Sequence, residues 1–226
     1  MLLDVIGQML PMAMAIALGP IPIVAAVLVA LSGSGRGAGF AFTLGWIAGM
    51  TVLAIVLVVL IGQLGEPRPG GNFWLDLTRV LVGLLLLWAA LRKWQKRPRG
   101  GDKPVVPKWI DTFSDVDGAK ALRLGVTVAL VNPKHFAFTL AAMSPLAEVS
   151  LSIAAIGVDV LVFVLLSSGS VLAVALVHAF GGQGVTAQLE GVKQFMLANN
   201  NVILMVIFAI LGMSVLGSGL SGLAAS

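Results

Sequence analysis

Asn132-Pro133-Lys134 sits in the middle of a long apolar segment, with Leu122 to Val131 before it and Phe136 to Met143 after it. A proline removes a backbone donor and breaks a helix. A lysine at bilayer depth is costly unless it lies in a cavity or meets a partner. Opening a helix frees carbonyl groups before the break and amide groups after it. The new N-terminal end carries partial positive charge and attracts anions, and Lys134 beside it strengthens that pull. A carboxylate, phosphate or sulfate group on a substrate fits such a place. His135, next in the chain, is a candidate proton relay or simply a hydrogen-bonding residue at the break.

Asp159 lies about ten residues into another apolar segment. Three roles stay open for it: pairing with Lys134, binding a coupling cation, or carrying a proton. An ion pair that only fixes packing is the bland alternative, although intramembrane charges are seldom kept for stability alone. No nucleophile with a base, metal cluster or nucleotide loop accompanies these residues, so neither catalysis, a metal nor a cofactor is expected. His135 and His178 are far apart in sequence and have no acidic cluster around them. The absence of cysteine excludes disulfides, thiolate chemistry and iron–sulfur clusters.

The elements that hold these residues must be membrane helices. Of the 226 residues 58% are hydrophobic and 11% charged, and the mean hydropathy is +1.03. About twenty apolar residues cross a bilayer. Six segments qualify, near 3–31, 38–64, 73–94, 119–146, 149–179 and 195–217. A cleavable signal peptide is not expected, because Asp4 stands where such a signal is positive and the first apolar stretch is too long.

The net charge of +4 is a topology signal rather than a nucleic-acid footprint. Arg92, Lys93, Lys96, Arg97, Arg99, Lys103 and Lys108 crowd the loop after the third segment, which places that loop in the cytoplasm and both termini outside. Within it Trp109, Ile110, Phe113 and Val116 fall at helical spacing, which predicts a short amphipathic helix in the inner interface. Asp76 and Arg79, at i and i+3, should form a local pair.

The first segment carries its own break, Gly19-Pro20-Ile21-Pro22. An offset of 113 residues carries Gly19 onto Asn132, Pro20 onto Pro133 and Trp46 onto Asp159. Each break opens a group of three spans, and three spans per group invert the second relative to the first. Paired broken helices in inverted repeats point to a central site with alternating access; kinks made only for packing are the alternative. The expected fold is therefore an all-α polytopic membrane protein of six transmembrane helices, built as two inverted three-helix repeats with helices 1 and 4 broken. Residues 1–94 form the first repeat, 95–118 the basic cytoplasmic loop, and 119–226 the second. The candidate substrate-binding residues are Gly19, Pro20, Pro22, Trp46, Asn132, Pro133, Lys134 and His135, with Asp159 and Lys134 as the coupling or ion-pair couple. Gly45 and Gly49 should let the second span approach a neighbour closely, with Trp46 lining a cavity or packing. For Asn199-Asn200-Asn201 the choice between capping a helix and lining a vestibule stays open.

Two stretches resemble a known family. One is Ala17-Leu18-Gly19-Pro20-Ile21-Pro22-Ile23 with Phe42-Thr43-Leu44-Gly45-Trp46-Ile47-Ala48-Gly49. The other runs from Pro107-Lys108-Trp109-Ile110-Asp111 through Ala121-Leu122-Arg123-Leu124-Gly125 to Asn132-Pro133-Lys134. Together they resemble the glycolipid- and peptidoglycolipid-addressing (GAP, sulfolipid-addressing-like) proteins of the lysine-exporter (LysE) superfamily of transporters. The resemblance implies export across the cytoplasmic membrane, with envelope glycolipid or peptidoglycolipid as cargo in this branch and amino acids, small metabolites or ions in the wider superfamily. The family pattern has asparagine after Asn-Pro-Lys, where this chain has His135.

The leading expectation is thus a secondary exporter or flippase moving a glycolipid or other anionic amphiphile between the two repeats. The alternatives are an exporter of amino acids or small metabolites and a non-transporting scaffold for envelope lipid delivery. Expected partners are membrane lipids, a lipid or small-molecule substrate, a second copy through the glycine faces and envelope-biosynthesis proteins, with no nucleic acid.

Overall fold

The computed structural model describes residues 2–32, 36–63, 73–97, 113, 116–148, 152–182 and 184–225. Every regular element among them is helical: α1 (Leu2–Ala17), α2 (Pro20–Ala30), α3 (Arg36–Gln63), α4 (Phe73–Gln95), α5 (Gly118–Val131), α6 (Pro133–Met143), α7 (Ile153–Phe180), α8 (Val185–Ala198) and α9 (Asn200–Ala225), with a 3-10 turn at Ser144–Glu148 after α6. Both proline breaks fall where the sequence places them. α2 and α6 start on Pro20 and Pro133, a proline being well tolerated in the first helical turn, and each runs for 11 residues.

α3, α7 and α9 are each long and apolar enough to cross a bilayer, and α1 with α2 makes a fourth candidate bent by 50° at its break. The remaining two expected spans fall outside that count. α4 carries Asp76, Arg79, Arg92 and Lys93, and α5–α6 is two short helices with Lys120, Arg123 and Lys134. The chain is a membrane protein by these apolar helices. The last expected span is shifted: α8 occupies 185–198 with Gln188, Glu190, Lys193 and Gln194, too polar for lipid, and α9 begins only at Asn200.

The helices form two compact units, Met1–Gly65 with Pro104–Ala198 and Glu66–Lys103 with Asn199–Ser226. Each unit draws on both sequence halves. In the first, α3 crosses α5 at glycine. A Cβ on Gly45 would strike the Leu122 carbonyl and one on Gly125 the Phe42 carbonyl, while one on Gly49 would lie 2.7 Å from the Ala129 methyl. Only missing side chains permit that approach, and in lipid such packing replaces water-driven burial as the source of helix association. The buried stripe of α3, Phe42, Trp46, Met50, Leu53 and Leu57, recurs every three to four residues.

The second unit pairs α4 with α9 at a Gly83–Leu216 crossing, where an added Cβ would lie 2.7 Å from the Leu216 amide nitrogen. The expected Asp76–Arg79 pair forms there at 3.0 Å, with Asp76 buried. Asn201 resolves part of the asparagine run. Its side-chain amide donates to the Lys96 carbonyl at 2.7 Å and its oxygen accepts from Lys93 Nζ at 3.4 Å, tying the start of α9 to the end of α4.

Of the segment expected to lie in the inner interface, Trp109 and Ile110 are outside the described residues. Phe113 and Val116 are buried, and the Phe113 ring meets Phe42 of α3 edge-on, with centroids 6.5 Å apart. That part of the segment turns toward helices rather than lipid.

Candidate functional site

The α5–α6 break follows from one missing donor. In a continuous helix the Ala129 carbonyl would accept from the amide of residue 133, and Pro133 has none. His135 fills the gap: its Nδ1 lies 3.2 Å from the Ala129 carbonyl and 3.1 Å from the Val128 carbonyl. Carbonyls only accept, so Nδ1 carries the proton in these contacts. Asn132 is extended, with ψ of 113°, and its Oδ1 accepts from the Lys134 amide at 3.0 Å. The backbone amides of His135 and Phe136 both donate to the Asn132 carbonyl. Residues 128–136 thus satisfy one another locally.

The break has two unlike sides. His135 is buried, and its ring meets the Trp46 ring in a T-shaped contact, centroids 5.1 Å apart and planes at 84°. Asn132 and Lys134 are half-buried. Opposite them the surface is apolar and open: Val131 is 72% exposed, Phe136 46%, and Leu130 and Leu140 are also exposed.

The α1–α2 break is built differently. Pro20 cannot donate to the Ile16 carbonyl, which accepts instead from the Gly19 amide at 3.0 Å. The Ala17 carbonyl accepts from the Ser170 hydroxyl of α7. Pro20, Pro22 and seven further residues of α2 are buried, and α2 packs against α7, α8 and α3. The break holds no charged side chain.

Trp46, Asn132, Pro133, Lys134 and His135 therefore lie together around the second break, while Gly19, Pro20 and Pro22 form the first. Asp159 makes no hydrogen bond to Lys134. It is fully buried on α7, and neither carboxylate oxygen has a hydrogen-bond partner. Trp46 Nε1, Thr139 Oγ1 on α6 and Ser168 Oγ on α7 are likewise buried without partners. Buried polar atoms are rarely left unpaired, so this unit holds unmet polar capacity on three helices.

Sequence reasoning missed Thr139, Ser168 and Ser170. The signal for the serines was present, since Ser167-Ser168-Gly169-Ser170 is a polar run inside a 28-residue helix whose only other polar side chains are Asp159 and His178. Among the described residues no group of three His, Cys, Asp or Glu is placed to hold a metal.

A family model described as Sap, sulfolipid-1-addressing protein, matches residues 9–221, and the chain belongs to that family. No curated protein and no solved structure matches it.

Proposed function

We propose that this member of the sulfolipid-1-addressing family is an exporter or flippase of the cytoplasmic membrane. Its cargo is an anionic envelope glycolipid or peptidoglycolipid, and the α5–α6 break is where the headgroup binds. One observation carries the reading: the two-sided character of that break. Lys134, in the first turn of α6, supplies positive charge for an anionic headgroup. Val131, Phe136, Leu130 and Leu140 offer an open apolar flank along which acyl chains stay in lipid. A closed aqueous path for a small solute has no use for an apolar flank at its binding site.

In this reading α1–α2, α3, α4, α5–α6, α7 and α9 are six spans in two inverted repeats. The basic end of α4 faces the cytoplasm and both termini face outside. The resemblance to lysine exporters supports the direction of transport. No bond is made or broken, and the protein binds, turns and releases.

A second reading, export of a small polar solute, is favoured by the unpaired polar atoms of Trp46, Thr139, Asp159 and Ser168 inside the first unit. One assay separates the two. Purified protein in liposomes is given a fluorescent anionic glycolipid in the membrane and, in parallel, a trapped amino acid or small anion. Glycolipid translocation by the wild type that is lost in Lys134→Ala supports the first reading. Solute efflux without lipid movement replaces it with the second, and movement of neither sinks both.

A further inference from the structure

Among the described residues two aspartates are buried, and they are treated oppositely. Asp76 is paired with Arg79. Asp159 is buried to the last atom, with neither oxygen hydrogen-bonded. An ionised carboxylate accepts about four hydrogen bonds, and leaving one in an apolar interior without any costs far more than folding supplies. The neutral acid removes most of that penalty.

Among the described residues, the helices packed on α7 offer Asp159 no hydrogen-bonded charge. α7 packs against α1, α2, α3 and α8. α2 has no titratable side chain, α1 carries only Asp4 in its exposed first turns, and α3 only Arg36 at its first residue. On α8, Glu190 and Lys193 are bonded to each other at 2.7 Å. His178 lies in the last turn of α7 itself. On α6, Lys134 and His135 make no hydrogen bond to Asp159.

We propose that Asp159 is a proton-binding site, holding its proton as a neutral acid while the first unit is closed and releasing it when cargo movement opens that unit to water. The second clause rests on the transport reading above; the first does not. Asp159 lies six residues past the start of α7, about 9 Å along the axis at 1.5 Å per residue. In the proposed orientation that end faces outside, so the proton enters from the outer side and cargo leaves in exchange.

The test uses the full-length protein in liposomes and dicyclohexylcarbodiimide, an apolar reagent that modifies carboxylic acids in their protonated form. Peptide mass spectrometry should find label on Asp159, falling as pH rises, and none on Asp76. Absence of label on Asp159 at every pH, or equal label on both aspartates, overturns the proposal. In parallel, Asp159→Asn should insert and melt like the wild type, because one neutral side chain replaces another, while its glycolipid movement no longer responds to an imposed pH gradient. A gradient response equal to that of the wild type overturns the coupling. Labelled Asp159 in a wild type that moves no cargo upholds the proton site and removes the transport reading instead.

Discussion

The two helix breaks share a proline, an offset and an 11-residue second helix, yet they are held in opposite ways. The Gly19-Pro20 break is fastened from outside itself. Its Ala17 carbonyl is bonded to Ser170 on another helix, and α2 is almost wholly buried. The Asn132-Pro133 break is fastened from within. Asn132 and His135 satisfy the local backbone, and one flank lies open. A break tied to its neighbours resists movement unless they move too. A break that satisfies its own backbone can change its surroundings without losing a hydrogen bond. The first reads as a fixed joint and the second as the place where cargo is met.

That contrast can be broken in several ways. Gly125→Val has the largest expected effect. Its Cβ would run into α3 backbone at Phe42 and Trp46, and overpacking against main chain costs about 3 kcal/mol or more. The thermal midpoint should fall sharply in fluorescence-detected chromatography; an unchanged midpoint would show that α3 and α5 do not cross as described.

Lys134→Ala should cut glycolipid movement in the liposome assay. A hydrogen bond to a charged group contributes roughly 1.5–3 kcal/mol, or about a ten- to hundredfold loss. His135→Ala leaves the Ala129 carbonyl unpaired in a buried place, for about 1–3 kcal/mol of stability, seen as a lower midpoint in the same chromatography.

Ser170→Ala is the smallest. It removes one hydrogen bond at the fixed joint, and such bonds between membrane helices average about 0.6 kcal/mol. Its transport should stay close to that of the wild type. Transport lost in Ser170→Ala as severely as in Lys134→Ala would erase the distinction between the breaks.

Much of this was legible in the residues. Pro20 and Pro133 end helices for a covalent reason, so both breaks could be placed from sequence alone. Gly45 and Gly49 announced a close crossing, and Asp76–Arg79 a local pair, because spacing along one helix suffices for either. What escaped depends on residues distant in the chain. Nothing local joins Ser170 to Ala17, or Trp46 to His135. The expected Lys134–Asp159 couple rested on both charges lying near mid-span; depth alone does not bring two side chains together, and α7 buries Asp159 without that bond. The sixth span was drawn too early because hydrophobicity rises through Phe195-Met196-Leu197. Asn199 and Asn200 instead divide the run into α8 and α9.

The central claim is that the second break, and not the first, meets the cargo. Leu18 and Phe136 give a matched pair for testing it: one flanks each break, and they are 48% and 46% exposed. A photoreactive phenylalanine analogue at each position, in liposomes that mix anionic glycolipid with neutral phospholipid, reports the lipid at each site by mass spectrometry of the adducts. The account predicts glycolipid enriched over its membrane fraction at position 136, lost when Lys134→Ala is added, and adducts at position 18 that follow the bulk composition. Equal adduct composition at the two positions would contradict it.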